Sequence, residues 1–280
     1  MTDDVNALRP RMMSVAYRML GSVADAEDAV QDAFVRYQTA GGVSSPEGFL
    51  IRTTTRLCID RLRARRRREY VGPWVPEPVD TSGRESVLSD SLTQAFLLLL
   101  ERLTPDERAA FLLRRVFDYE YAEIGEVVGR PEATVRQIVS RARRRLGLEG
   151  GQRFHATGAR AAALAERFVA ACRTGDVKAV EQMLTEDVAV HSDGGGKVSA
   201  ARVVVRGRDR AARLLVGVFS KKHGECEMHA TTVNGEPGVV FTSSGAVVQV
   251  VSLCIEGGVR AVYMTNNPDK LSRWSVAQVE

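Results

Sequence analysis

Arginine dominates the chemistry this chain can offer, and it is unevenly placed. Residues 48–68 hold eight arginines against one aspartate, residues 130–146 hold six against Glu132 alone, and residues 1–47 hold four against seven carboxylates. A guanidinium is a planar fork of donors that grips phosphate or carboxylate two bonds at a time. A solvated basic face would explain either block alone. Two such blocks in a chain whose net charge is only +4 point instead to a polyanion held at two places. In the second block Arg136 and Gln137 are adjacent, and these residue types pair with the major-groove edges of guanine and adenine. Arg143, Arg144 and Arg145 suit phosphate, which adds affinity without reading sequence.

Other chemistries fit less well. Cys58, Cys172, Cys226 and Cys254 are far apart and form no C-x-x-C pair, so reduced, buried thiols are expected and no metal centre. Asp193-Gly-Gly-Gly-Lys197 is followed by Val198 and no helix start, which argues against a phosphate-cradling P-loop. His191, Asp193 and Tyr263 are acid–base types that could line a cavity. No cofactor is expected. There is no run of 18 apolar residues, and MTDDVNALRP carries two acids where a signal peptide is basic. A cytoplasmic protein with no membrane partner is therefore expected.

The elements that must position these side chains follow from periodicity. Asp25 to Tyr37 places Ala26, Ala29, Val30, Ala33, Phe34 and Tyr37 on one stripe, with Asp25, Asp28, Asp32 and Arg36 opposite. Carboxylates gathered on one face suit a basic protein surface and are poorly suited to DNA. Leu50 to Arg67 predicts a second amphipathic helix, with Ile51, Thr55, Cys58 and Leu62 inward and Arg52, Arg56, Asp60, Arg63 and Arg67 outward. Tyr70 to Asp90 has the Pro, Gly and Ser content of a linker, in which Tyr70 and Trp74 could stack on bases.

Helical periodicity then returns. Thr104-Pro105-Asp106-Glu107 predicts a capping box and a helix to about Phe117. Tyr121–Val128, a turn at Gly129 and Pro131–Leu146 have the lengths of a helix-turn-helix. Val135, Ile138, Val139, Ala142 and Leu146 should face inward, and Arg136, Gln137, Ser140 and Arg144 outward with Thr134 and Arg141 at the edge. Beyond residue 158 the pattern predicts helices over 159–174, 177–185 and 209–220. Strands are predicted over 188–191, 202–206, 225–233, 246–255 and 259–265, in a curved antiparallel sheet.

The run Asp25-Ala-Glu-Asp-Ala-Val-Gln-Asp-Ala-Phe34, followed by Ser45-Pro-Glu-Gly-Phe-Leu-Ile-Arg52 and its basic continuation, resembles region 2 of the extracytoplasmic-function (ECF) sigma factors of the sigma-70 family. The helix-turn-helix that follows resembles their region 4. The resemblance implies a multi-domain chain: a region 2 helical bundle at 1–68, a linker at 69–91 and a region 4 helix-turn-helix at 92–148. It implies core RNA polymerase as partner, with Asp25, Glu27, Asp28, Gln31 and Asp32 toward the clamp helices of the largest subunit and region 4 toward the flap of the second subunit. Ser45, Pro46, Phe49, Arg52, Arg56, Asp60, Arg61 and Arg63 would face melted promoter DNA at −10. Thr134, Arg136, Gln137, Ser140, Arg141 and Arg144 would face the −35 element. Arg56 stands where many members have asparagine, and Gly125 where alanine is common.

Residues 158–280 resemble the SnoaL-like branch of the NTF2 fold, an α+β cone. Trp74-Val-Pro-Glu-Pro78, Asp193-Gly-Gly-Gly-Lys197 and Asn267-Pro-Asp-Lys-Leu271 resemble the signatures of the SigJ-like group, sigma factors with a fused SnoaL-like domain. That implies regulatory contacts at Trp74, Pro76, Glu77, Pro78, Asp193, Lys197, Asn267, Pro268, Asp269, Lys270 and Leu271, with loop and tail packed near the linker. The expected function is promoter-specific initiation of transcription controlled in cis, without enzymatic activity, the cone being a place for a small ligand. Two rivals share the helix-turn-helix: a one-component regulator with a ligand-binding domain, and a SnoaL-like enzyme with a DNA-binding extension. The first does not explain the acidic and arginine-rich helices at the N-terminus, and the second predicts turnover and no need for polymerase.

Overall fold

The computed structural model describes residues 5–65, 70–82, 92–148 and 159–275, so Arg67 lies outside the described residues. The chain forms two compact units, one of residues 1–69 with 97–152 and one of residues 70–96 with 153–280. Both helical regions thus share a unit, and the linker belongs with the C-terminal sheet.

In the first unit α1 (Arg9–Leu20), α2 (Val23–Thr39) and α3 (Pro46–Arg65) pack on one another. Ser22 starts α2 by accepting the backbone N–H of Asp25 at 3.3 Å, a standard N-cap. The small side chains of Ala26, Ala29 and Ala33 bring α2 close to its neighbours, and all three are fully buried. After α4 (Gln94–Leu100), inside which the unit boundary falls, come α5 (Pro105–Arg115), α6 (Tyr121–Val128) and α7 (Glu132–Leu146). The capping box forms as the sequence implies, Thr104 Oγ1 accepting from Glu107 N and Glu107 Oε2 from Thr104 N. Gly129 ends α6 with φ of 66°.

Gly125 now has a reason. A Cβ there would stand 2.6 Å from the carbonyl oxygen of Arg130, because the turn folds back on α6 and Arg130 N donates to Gly125 O at 3.0 Å. Two buried arginines help join the helices. Arg108, 3% exposed, donates to Met19 O and Glu101 at 2.7 Å each. Arg18, 1% exposed, donates to Ser14 and lies 5.7 Å from the Phe117 ring centroid, and burial lowers its pKa to about 10.

In the second unit α8 (Ala159–Thr174), α9 (Val177–Met183) and α10 (Arg208–His223) cover one face of a six-stranded sheet. Its strands are β1 (Leu184–Asp193), β2 (Val205–Arg206), β3 (Glu227–Val233), β4 (Glu236–Ser243), β5 (Ala246–Ile255) and β6 (Val259–Thr265), in the order β2-β1-β6-β5-β4-β3. The sheet is mixed, not antiparallel throughout: β1 runs parallel to β6. Strand β4 was not foreseen. It forms two hairpins through Asn234-Gly235 and Ser244-Gly245, whose four residues all have positive φ, as two-residue hairpin turns of the I′ kind require.

The helix-covered side is packed with Phe168, Leu215, Phe219, Val239, Phe241, Val251 and Met264. Strand alternation puts Val190, Val262 and Met264 on that side, hence His191, Asp193 and Tyr263 on the other. The expectation that these three line the inside of the cone is therefore corrected. Their side of the sheet instead carries the linker, the short helix α11 (Pro268–Leu271) and Trp274.

Candidate functional site: two nucleic-acid faces and a linker clamp

On α2, Asp28, Gln31 and Asp32 are exposed, and Asp25 and Glu27 half-buried. This acidic face carries a cation of its own unit. Arg61 of α3 donates to Asp32 at 2.8 Å and to the carbonyl of Asp25 at 2.8 Å, and lies 3.9 Å from Asp28. Arg61 thus fastens α3 to α2 and does not project with the other arginines.

The inward set of α3 is as the wheel predicts, Ile51, Thr55, Cys58 and Leu62 all being buried. Burial raises the Cys58 pKa to about 12, which marks a thiol of the core. Outward, each arginine expected at −10 DNA has a protein partner. Arg52 meets Glu126 at 3.0 Å, Arg56 donates to Val127 O at 3.0 Å and to Glu126 O, and Arg63 meets Asp106 at 2.9 Å and Asp60 at 3.5 Å. Ser45 Oγ accepts the N–H of Gly48 at 3.2 Å at the start of α3, next to Pro46, while Phe49 lies 5.9 Å from the Tyr37 ring centroid.

On α7 the predicted alternation holds. Val135, Ile138, Val139, Ala142 and Leu146 are buried, Arg136, Gln137, Ser140, Arg141 and Arg144 exposed, and Thr134 half-buried. Arg136 stacks 4.3 Å from the Tyr121 centroid, whose ring also lies 4.9 Å from Arg114, and pairs with Glu132 at 2.6 Å. Its guanidinium is therefore pre-oriented on the open face. Arg145, one of the three expected phosphate holders, pairs with Glu107 at 2.7 Å.

The linker and the two C-terminal motifs come together in the second unit. Asp193, fully buried at the end of β1, accepts the hydroxyl of Tyr70 at 2.6 Å, the N–H of Gly195 at 2.9 Å, the N–H of Val75 at 2.9 Å and the ammonium of Lys270 at 2.7 Å. Lys270 also donates to the carbonyl of Val75 and lies 4.6 Å from the Trp74 ring and 5.2 Å from the Tyr70 ring. A carboxylate and an ammonium out of water need such satisfaction on all sides. Trp74 and Tyr70, expected as platforms for bases, are instead the aromatic walls of this clamp. Gly195, at φ of 60°, cannot carry a side chain because a Cβ would stand 2.3 Å from the Asn267 amide.

Further along, Trp274 Nε1 donates to Pro78 O at 3.0 Å, Glu77 is buried with Arg273 3.8 Å away, and Pro268 and Leu271 belong to α11. Lys197 and Asp269 form a 2.7 Å pair at the surface. Sequence reasoning missed Asn234, which takes the N–H of Val79 and donates to Leu92 O, and Glu236, which accepts from Gln94 N at 3.3 Å. The Asn-Gly turn was the available signal for the first; nothing flagged the second. Among the described residues no three metal-ligating side chains are grouped, and no helix is long and apolar enough to cross a membrane.

Residues 5–68 match the model of sigma-70 region 2, residues 93–146 that of sigma-70 region 4, and residues 165–259 that of a SnoaL-like domain. The ECF RNA polymerase sigma factor SigJ of Mycobacterium tuberculosis is 34% identical to this chain, the match covering 96% of the chain and 92% of that protein. A probable ECF sigma factor, SigI, of the same organism is 32% identical over 90% of the chain and 88% of its own length. The crystal structure of SigJ superposes with a TM-score of 0.79 at 32% identity, covering 97% of this chain and 98% of that one.

Proposed function

The chain belongs to the extracytoplasmic-function sigma factors of RNA polymerase, and we propose that its helices divide that family's work between three surfaces. As a sigma factor it binds core polymerase and directs promoter-specific initiation, and its SnoaL-like domain fits control in cis. In our reading the acidic residues of α2 meet the clamp helices, and α7 enters the major groove at −35 while its unit contacts the flap. The side of α3 bearing Arg52, Arg56 and Arg63, with the loop before it, receives melted −10 DNA. The second unit acts without catalysis and regulates the linker it holds. Its work is done where polymerase works, in the cytoplasm.

One observation carries the reading: α7 buries a complete apolar stripe and leaves Arg136, Gln137, Ser140, Arg141 and Arg144 together on its open face. Arg and Gln there are the base readers and the remaining arginines the phosphate holders. The test is transcription in vitro from a genomic fragment library with purified core polymerase. The chain should make initiation start at a defined set of promoters from core alone. A one-component regulator would leave core silent on every fragment, and that result would end the proposal.

A further inference from the structure

The side of α3 that should meet −10 DNA is already occupied, and the occupant is α6. Arg52 and Arg56 lie one turn apart. Arg52 holds the Glu126 carboxylate at 3.0 Å, and Arg56 donates to two carbonyl oxygens, those of Val127 and Glu126. The last carbonyls of a helix have no partner within it and carry partial negative charge. Arg56 therefore finds at the end of α6 what a phosphodiester would offer, clustered oxygen acceptors with negative charge, and Glu126 supplies Arg52 with the anion itself.

The loop before α3 is covered in the same way. Residues 40–45, Phe49 and Arg52 form one wall of a groove of about 540 Å³, and Tyr119, Glu123, Glu126 and Val127 form the other. Two carboxylates facing this groove repel phosphate. Beyond it Arg63 takes both carboxylate oxygens of Asp106, at 2.9 and 3.2 Å. The recognition face of α7 takes no part in these contacts.

We propose that α6 is an intramolecular competitor of −10 DNA, so that Arg52 and Arg56 alternate between α6 in a closed chain and nucleic acid in an open one. The proposal rests on the sigma-factor reading and adds its regulation. It also gives Arg56 a purpose. An asparagine there is short and uncharged and cannot hold both carbonyls as a cation does. The ion pairs are partly exposed, 35% and 70% at Arg52 and Glu126, so each is weak alone and the clasp can reopen. A chain closed about nine-tenths of the time shows an affinity for single-stranded DNA about tenfold below that of the open form.

The experiment uses the full chain and a fluorescein-labelled single-stranded DNA of random sequence, about 20 nucleotides long, read by anisotropy. Glu123→Gln/Glu126→Gln removes the acidic wall, and glutamine keeps the cap that Glu123 makes at Glu120 N. Glu186→Gln/Glu225→Gln removes the same charge from exposed positions of the second unit. The groove variant should bind about tenfold more tightly than this control, with faster amide exchange over residues 40–56 and 119–128. Equal affinities overturn the clasp, and so does tighter binding without faster exchange, which would reflect charge alone. Transcription by the unaltered chain is scored separately. If it initiates from core while the two variants bind DNA alike, the clasp fails and the sigma-factor reading stands.

Discussion

Glu236 is a buried and His191 a half-buried titratable group on the side of the sheet away from the helices, and desolvation displaces them in opposite directions. Glu236 is raised from 4.5 to about 7 by burial, against the opposing hydrogen bonds from Gln94 N and Cys254. His191, stacked 5.2 Å from Tyr263, is lowered from 6.5 to about 4 by burial and then by Arg206. Between its two values Glu236 holds a proton in the folded chain that the unfolded chain has released. Its contribution to stability is therefore full in acid and falls by about 3 kcal/mol as pH rises from about 4.5 through about 7. For His191 the sign reverses: the contribution is full above pH 6.5 and is lost as pH falls toward about 4. The two oppose each other across most of their range, which flattens the pH dependence of the intact protein. Substitution separates them. In Glu236→Gln, stability should rise with pH up to about 6.5; in His191→Phe, it should fall with pH up to about 7. Urea midpoints measured from about pH 5 to pH 8 decide the matter. A Glu236→Gln profile parallel to that of the unaltered protein would show that this carboxyl is ionised like any surface one.

At the scale of elements, the turn of the helix-turn-helix shows propensity and packing in conflict. Propensity alone says that Gly125→Ala should stabilise α6 by about 1 kcal/mol. The added Cβ would stand 2.6 Å from Arg130 O, and a backbone carbonyl inside a tight turn has little room to yield. The expected result is a loss of about 1–3 kcal/mol, read as a lower Tm, with −35 binding weakened because the turn positions α7. A higher Tm would refute the packing argument. The helices were legible from sequence because their caps and apolar stripes are local: Thr104 with Glu107, and the stripe from Val135 to Leu146. Strand β4 was not, since Pro237 and Gly238 read as loop. Gly238 is there because a Cβ would stand 2.5 Å from the Val233 side chain and 2.7 Å from Val251 O. The parallel β1–β6 pairing joins segments distant in sequence, and alternation reports a strand's faces but not its direction. The same limit applied to α3: a helical wheel placed Arg52, Arg56 and Arg63 on one side, but could not show that Glu126 and Asp106 lie against it.

At the scale of the molecule, the clamp ties the linker to a domain that begins some distance downstream in sequence. Asp193 and Lys270 are nearly sealed from water, 0% and 10% exposed at their side chains, and removing either leaves a charge in place without its counterpart. Such a loss costs about 3–5 kcal/mol locally, enough to release Tyr70, Trp74 and Val75 from the sheet. Trp74→Ala removes an aromatic wall from Lys270 and should act in the same sense, more mildly. Asp269→Ala breaks only an exposed pair with Lys197 and should do little. If the second unit controls initiation through its hold on the linker, Asp193→Ala and Trp74→Ala must change promoter-specific transcript yield in the same direction, by roughly threefold or more for the former. Capture of core polymerase should persist in both, because α2 and α7 belong to the other unit. Deleting residues 158–280 is the coarser version of the experiment. It strips the linker of the surface that buries Val75 and of Asp193 and Lys270 themselves, so its yield should move in that same direction and further. Transcript yields indistinguishable among the unaltered protein, Asp193→Ala and Trp74→Ala across a range of core concentrations would mean that the clamp only stabilises the fold.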